Sequence, residues 1–264
     1  MFQTSVITSG SKGNCILVKN GSTNIVIDAG MSFKHYAQCM TNIGLDPTKL
    51  DAIFVSHEHS DHVGGAGILH RKTKSPIYIS HPTFVYSEKK IGKLYDEPYY
   101  FEIGEYIKVG SLIVHPFNSP HDAVDSCNFL IHPVDDDKKQ LLIATDLGFA
   151  HNLLKVNLKK ATTIILESNH DVKMLREGPY EWYLKQRILS KTGHLSNEQA
   201  TNLIEEILSE NHDRIILAHL SEINNTPELA FSQMKKMLDF MQAKTDLIVS
   251  SQYQNTPLFK IGDG

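Results

Sequence analysis

The sequence predicts an α/β fold, a four-layer αββα sandwich that occupies residues 1–264 as a single domain. Three observations carry this expectation. Two stretches, the first third and the middle, are rich in strand-like apolar runs. Helical patterns alternate with strands beside each of them, which suits two sheets with helices outside. No repeat, low-complexity tract or linker divides the chain.

The elements follow in order. Phe2–Thr8, Cys15–Lys19 and Asn24–Asp28 read as strands, separated by the turn Ser9-Gly10-Ser11-Lys12-Gly13-Asn14 and by Asn20-Gly21-Ser22. An amphipathic helix over Ser32–Asn42 closes at Gly44. Ala52–Val55 is a short apolar strand, followed by a helix near Gly65–Lys74 and a strand at Ile77–Ile79. The middle strands are Tyr106–Val109, Leu112–Phe117, Cys127–Ile131 and Gln140–Ala144, with turns at Gly110-Ser111 and Val134–Lys138. The last part alternates: strands at Thr163–Leu166, Arg214–Ala218 and Leu247–Ser250, helices near Asp171–Glu177, Tyr180–Leu189, Asn197–Ser209 and Pro227–Met241. Ser196 and Thr226 have the chemistry of N-caps, and Pro227 suits the first helical position.

Bulk composition narrows the function classes. A chain of 264 residues can bury a sizeable core. A formal net charge of -4 excludes a strongly basic nucleic-acid coat and leaves room only for a local basic patch. No apolar stretch approaches the roughly 18 residues of a membrane span, and Met1–Val6 lacks the features of a signal peptide. Cys15, Cys39 and Cys127 form no CxxC pair and read as small buried residues in a reducing compartment, so the cytoplasm is expected. Nothing in the sequence sets an oligomeric state.

The strongest chemical signal is Ser56-His57-Glu58-His59-Ser60-Asp61-His62-Val63-Gly64-Gly65, directly after a buried strand. On an extended segment, His57 and His59 point the same way. A turn at Ser60 then brings Asp61 and His62 to a neighbouring point, so one stretch can serve two adjacent cations. Imidazole and carboxylate donors suit Zn, Mn or Fe, and the lack of thiols argues against a closed structural zinc site. His57-Glu58 opens like the zincin H-E-x-x-H, but the fifth position is Asp61 and the glycines follow too soon for a helix.

This HxHxDH pattern resembles the second motif of the metallo-β-lactamase superfamily. Other segments are similar to its remaining motifs, in order: Asp28 in Ile25-Val26-Ile27-Asp28-Ala29-Gly30, His121 in Ser119-Pro120-His121, Asp146 in Ala144-Thr145-Asp146, and His219 in Ala218-His219-Leu220. The resemblance implies one divalent ion held by His57, His59 and His121 and a second held by Asp61, His62 and His219. Asp146 would contact both, and Asp28 would orient the ligand loop. Leu166-Glu167-Ser168 and Gly193-His194-Leu195-Ser196 resemble motifs of ribonuclease Z, which implies a Glu167–His194 charge pair near a scissile phosphate.

From about Thr4 to Met241 the chain looks similar to the bacterial YycJ/WalJ/VicX group of metallo-hydrolases, through Ser9–Cys15, Asn169–Arg176, Gly193–Asn197 and His219–Ser221 with Asn224-Asn225. That group implies 5′-to-3′ DNA exonuclease activity, with DNA as partner and Asp61, His194 and Glu167 as catalytic groups. A small-molecule hydrolase (lactonase, thioesterase or cyclic phosphodiesterase) and a non-catalytic regulator are the rival classes. No large insertion follows Asp146 and no Gly-rich arm is evident, so ribonuclease J and ribonuclease Z substrates fit less well. The glycine turn offers backbone N–H groups to an anion, which makes Ser11, Gly13 and Asn14, with Asn169, candidates for phosphate binding; a plain hairpin turn explains the loop equally well. Lys89, Lys90 and Lys93 read as a solvated face.

Overall fold

Interior strands here are near-continuous apolar runs because both of their faces are covered. The protein, described over residues 1–262 by a computed structural model, builds from them the elements β1 (Phe2–Thr8), β2 (Cys15–Asn20), β3 (Thr23–Ile27), α1 (Phe33–Asn42), β4 (Ala52–Phe54), α2 (Ser60–Val63), α3 (Ala66–Thr73), β5 (Ile77–Ile79), α4 (His81–Ile91), β6 (Tyr99–Tyr100), β7 (Ile107–Val109) and β8 (Leu112–Asn118). Then come β9 (Cys127–Pro133), β10 (Leu141–Ala144), α5 (Asn152–Leu158), β11 (Thr163–Glu167), α6 (Val172–Glu177), α7 (Trp182–Ile188), α8 (Asn197–Ile207), β12 (Arg214–Ala218), α9 (Pro227–Phe240), β13 (Asp246–Val249) and β14 (Phe259–Lys260).

Among the described residues these strands make two seven-stranded sheets, ordered β14-β1-β2-β3-β4-β5-β6 and β13-β12-β11-β10-β9-β8-β7. Each is mixed: β3 through β6 run parallel in the first, and β10 through β13 in the second. Parallel neighbours need crossovers, and those crossovers carry the helices.

Side-chain alternation sorts the layers. Ile25, Ile27, Ala52 and Phe54 of one sheet join Ile143, Ile165, Ile216 and Ala218 of the other in the core between the sheets. The alternate residues Val26 and Ile53 pack beneath α1 and α3 with Tyr36, Met40 and Leu69. Leu142, Ile164, Leu166 and Leu217 do the same beneath α5, α8 and α9. The result is the αββα sandwich.

Four elements lay outside the sequence reading: α4, α5 and the two-residue strands β6 and β14. The buried face of α4 is Thr83, Ser87 and Ile91, so its inward positions are largely hydroxylic and carry no apolar period. Ser87 Oγ instead donates to Thr83 O (2.6 Å), and Thr83 Oγ1 to Asp125 O (3.2 Å). The predicted turn at Ser60 is one helical turn, α2. No helix among the described residues is long and apolar enough to cross a membrane.

Candidate metal centre

The carboxyl ends of β3, β4, β10, β11 and β12 open on one edge of the sandwich, where parallel strands of α/β sheets present ligand-binding loops. Asp28 follows β3, His57–His62 follow β4, Asp146 follows β10, Glu167 ends β11 and His219 follows β12; His121 comes from the β8–β9 connection. Asp28, Asp146 and His219 hold left-handed backbones, with φ of 61°, 57° and 55°. That conformation is uncommon outside glycine, although Asp and His adopt it more readily than most other residues. It turns each side chain back over the sheet edge immediately after the strand ends.

The ring orientations are set from behind. His62 Nδ1 donates to Asp28 Oδ2 at 2.7 Å. Ser56 Oγ donates to the same oxygen (2.9 Å), and its lone pair faces His57 Nδ1 (2.9 Å). His121 Nδ1 donates to Gly193 O (3.2 Å), and His219 Nδ1 to Glu167 Oε1 (2.8 Å). A ring whose Nδ1 carries the proton has its lone pair on Nε2, the form that binds a metal. Those Nε2 atoms point inward. His57 Nε2 and His219 Nε2 are buried with no hydrogen-bond partner among the described residues. Orphaned buried polar atoms are costly, and an ion is one of the few things that explains two at one centre.

The inward atoms form overlapping sets whose members lie within 4.8 Å of one another: His57, His59 and His121; Asp61, His62 and His219; and His57, His62 and Asp146. Asp146 sits between them, with Oδ2 3.1 Å from His62 Nε2 and Oδ1 3.6 Å from His121 Nε2. An all-nitrogen-and-oxygen donor set of this density fits divalent cations. The seven predicted metal-ligand candidates thus converge on one centre.

The electrostatics make cation binding a proton exchange, in which a raised imidazole gives up its proton as the ion takes its place. Burial alone would lower His62 and His219, but the charge of Asp146, with Asp28 and Asp61 for the first and Asp61 and Glu167 for the second, carries His62 well up and His219 to about 10. Burial would raise Asp146 and Glu167, yet the surrounding imidazoles hold Asp146 well below the carboxylate range and Glu167 at about 2. Burial, then the neighbouring His62 charge, pushes His57 down and keeps it neutral. Ionised carboxylates among imidazoles make a negative field that concentrates cations.

Glu167 does more than the predicted pairing with His194. Fully buried, it faces His194 Nδ1 (2.8 Å) and His219 Nδ1 through Oε1, and it accepts the N–H groups of Asp146 (3.3 Å), Leu147 (2.9 Å) and Leu195 (2.9 Å). It ties the ends of β10 and β12 to the approach of α8. The centre is open where Asp61 and His194 lie, at 23% and 18% side-chain exposure.

The phosphate candidates take a different place. Gly13 N–H donates to Gly10 O (3.0 Å), and Asn14 N–H donates to Asp61 O (2.7 Å). Asn14 Nδ2 donates to Asp61 Oδ2 (3.2 Å), and Asn169 Nδ2 to His219 O (2.9 Å). With these donors engaged, Gly13, Asn14 and Asn169 brace the centre instead of cradling an anion. Ser11 lies on the exposed tip, and Lys12 beside it is paired with Glu222 at 2.7 Å. Gly30 allows the loop to close, since a Cβ there would stand 1.6 Å from Asp61 O.

Ser56 and Asp122 belong to the site although no role was read for them from the sequence. Ser56 is buried with Asp28. Asp122 Oδ1 lies 3.3 Å from His121 Nε2. Their positions beside His57 and His121 in the motifs were the available signal.

Asp28→Ala is expected to weaken divalent-metal affinity by about 10–100-fold, because it unties His62 and Ser56 together. Competition against a chromogenic chelator measures this. Unchanged affinity would reduce Asp28 to a strand-end turn residue.

Residues 9–219 match the family model of the metallo-β-lactamase superfamily. The chain belongs to that superfamily, whose members use divalent metals. It is 36% identical over 236 residues to an exodeoxyribonuclease YycJ of Bacillus anthracis, covering 89% of this chain and 88% of the relative. It is also 36% identical over 256 residues to an exodeoxyribonuclease WalJ of Streptococcus pneumoniae, covering 96% and 93%. Among solved structures, the metallo-β-lactamase fold protein YhfI of Bacillus subtilis superposes with a TM-score of 0.72 at 16% identity, over 97% of this chain and 99% of that one, a likeness of fold.

Proposed function

We propose that the protein is a two-metal-dependent phosphodiester hydrolase, a 5′-to-3′ DNA exonuclease. The observation that carries this reading is His194, a partly exposed imidazole held by a buried carboxylate at the rim of the metal centre. Near-full-length likeness to proteins named exodeoxyribonucleases supports DNA as substrate.

His57, His59 and His121 would hold one cation and Asp61, His62 and His219 the other, with Asp146 facing both; zinc, manganese or iron suits the donors. Bound divalent cations supply Lewis acidity to a phosphate and acidify water. Asp61, partly exposed and held ionised by His62 and His219, orients the attacking water and takes its proton. Glu167 accepts from His194 Nδ1, which leaves Nε2 as the atom that protonates the departing 3′-oxygen. Asp28, Ser56 and Glu167 keep the imidazoles in one tautomer throughout. We also read residues 1–264 as one domain, and three unpaired, buried cysteines fit a reducing cytoplasm.

The test uses protein loaded with each metal in turn and duplex DNA labelled at the 5′ or the 3′ end. Mononucleotide release from 5′ ends, abolished by chelator, is expected. Intact DNA alongside turnover of a lactone, thioester or cyclic nucleotide would replace this reading with the small-molecule one.

A further inference from the structure

Outside the metal cage, one cation is built into the rim. Arg187 lies in the last turn of α7, half exposed, and its Nε donates to Asp122 Oδ2. Asp122 follows His121 in the chain, and its other oxygen faces the His121 ring. The backbone fastens the same two segments, since Asp122 N–H donates to Thr192 O (3.1 Å); within the second segment His194 N–H donates back to Ile188 O (2.9 Å). Arg187 therefore stands at the end of the helix that leads into the loop carrying His194, and is pinned to the loop that carries His121. Asp122 first, and then the charge of Asp61, raises the Arg187 pKa, which puts the guanidinium within the field of the open side of the centre.

The pinning is one-sided. Nε is engaged, while the terminal Nη groups have no partner among the described residues. A guanidinium fixed in this way presents a planar pair of donors, the geometry that matches a phosphate bidentately. Two basic groups on the other sides of the centre are engaged elsewhere: Lys12 is paired with Glu222, and Lys90 Nζ donates to Glu58 O at 2.7 Å. On a chain of net charge -4, a pre-oriented arginine at the mouth of an acidic centre meets a need specific to a polyanion.

We propose that Arg187 grips the substrate phosphate adjacent to the scissile one, with Asp122 as its positioning residue. This rests on the phosphodiesterase reading above. Arg187 then sets register along the DNA strand, placing the scissile phosphate between Asp61 and His194, and takes no part in bond cleavage.

Parent, Arg187→Ala and Arg187→Lys are compared on three readouts. The first is anisotropy of a short fluorescein-labelled DNA strand in chelator, where no turnover occurs. The second is steady-state cleavage of DNA by metal-loaded protein. The third is hydrolysis of bis(p-nitrophenyl) phosphate, a diester with no neighbouring phosphate. Arg187→Ala is expected to raise Kd and KM for DNA by about 10–100-fold, the range for a lost charge-assisted pair, with kcat little changed. Arg187→Lys recovers part of the affinity. The small diester and the metal content stay at parent values. Parental Kd and KM in Arg187→Ala overturn the proposal, as do equal losses on the small diester or loss of metal. A parent that cleaves no DNA at all overturns the phosphodiesterase reading, and this inference with it.

Discussion

Asp146→Asn is expected to bind at most one divalent cation per chain, against two for the parent, and to lose hydrolytic rate by roughly 10³. Among the described residues, Asp146 is the carboxylate that approaches both ligand groups, with oxygens 3.1 Å from His62 Nε2 and 3.6 Å from His121 Nε2. Removing its charge takes away the largest influence that raises His62 and His219 and leaves buried imidazoles facing one another without the carboxylate that both ligand groups share. Asn is the informative substitution because it tolerates the left-handed backbone at this position, so loss of charge is separated from backbone strain. Elemental analysis gives the stoichiometry, and circular dichroism verifies the fold. Two tightly bound ions in the folded variant would remove Asp146 from its bridging role.

His194→Ala should keep both cations and lose nuclease rate by about 10²–10⁴, the span of a general acid–base group. Its ring is bonded to the buried network only through Nδ1, so deletion opens the rim without untying a metal-ligand candidate. Glu167→Gln should behave differently from a weaker copy of that variant. Glu167 also orients His219 and accepts three backbone N–H groups, so its loss lowers metal occupancy on the His219 side and costs about 1–3 kcal/mol of stability. Rate, metal content and urea midpoint, measured on both variants, separate the two roles. Parental cleavage by His194→Ala with unchanged metal would make the His194–Glu167 contact structural and remove the main local support for phosphate chemistry.

Both results depend on features of unequal visibility. The interior strands were legible because burial on two faces demands apolar residues at every position, as in Ile25–Ile27, Ile53-Phe54 and Ile164–Leu166. Helix starts were legible where a hydroxyl caps them: Ser196 forms a full capping box with Gln199, and Thr226 accepts from Leu229 N–H. The densest part of the centre was legible too, since His57, His59, Asp61 and His62 lie within one short segment. By itself, then, the sequence determined the layers and the ligand-rich loop, because these follow from local periodicity and from residues adjacent in the chain.

Tertiary structure decided what depends on contacts between distant segments. His121, Asp146 and His219 are scattered strand-end residues until the sheet order brings their strands together. Ring orientation is a second such decision, made by partners as far apart as His62 and Asp28 or His219 and Glu167. The left-handed turns at Asp28, Asp146 and His219 have no local signature, since no glycine marks them; the surrounding packing and hydrogen bonds impose them. The same holds for α4, whose inward hydroxyls make sense only beside Asp125, and for β6 and β14, too short to declare themselves without a sheet edge to join. It holds above all for Arg187, an ordinary surface arginine in the sequence, which becomes part of the rim because the chain folds Asp122 against it.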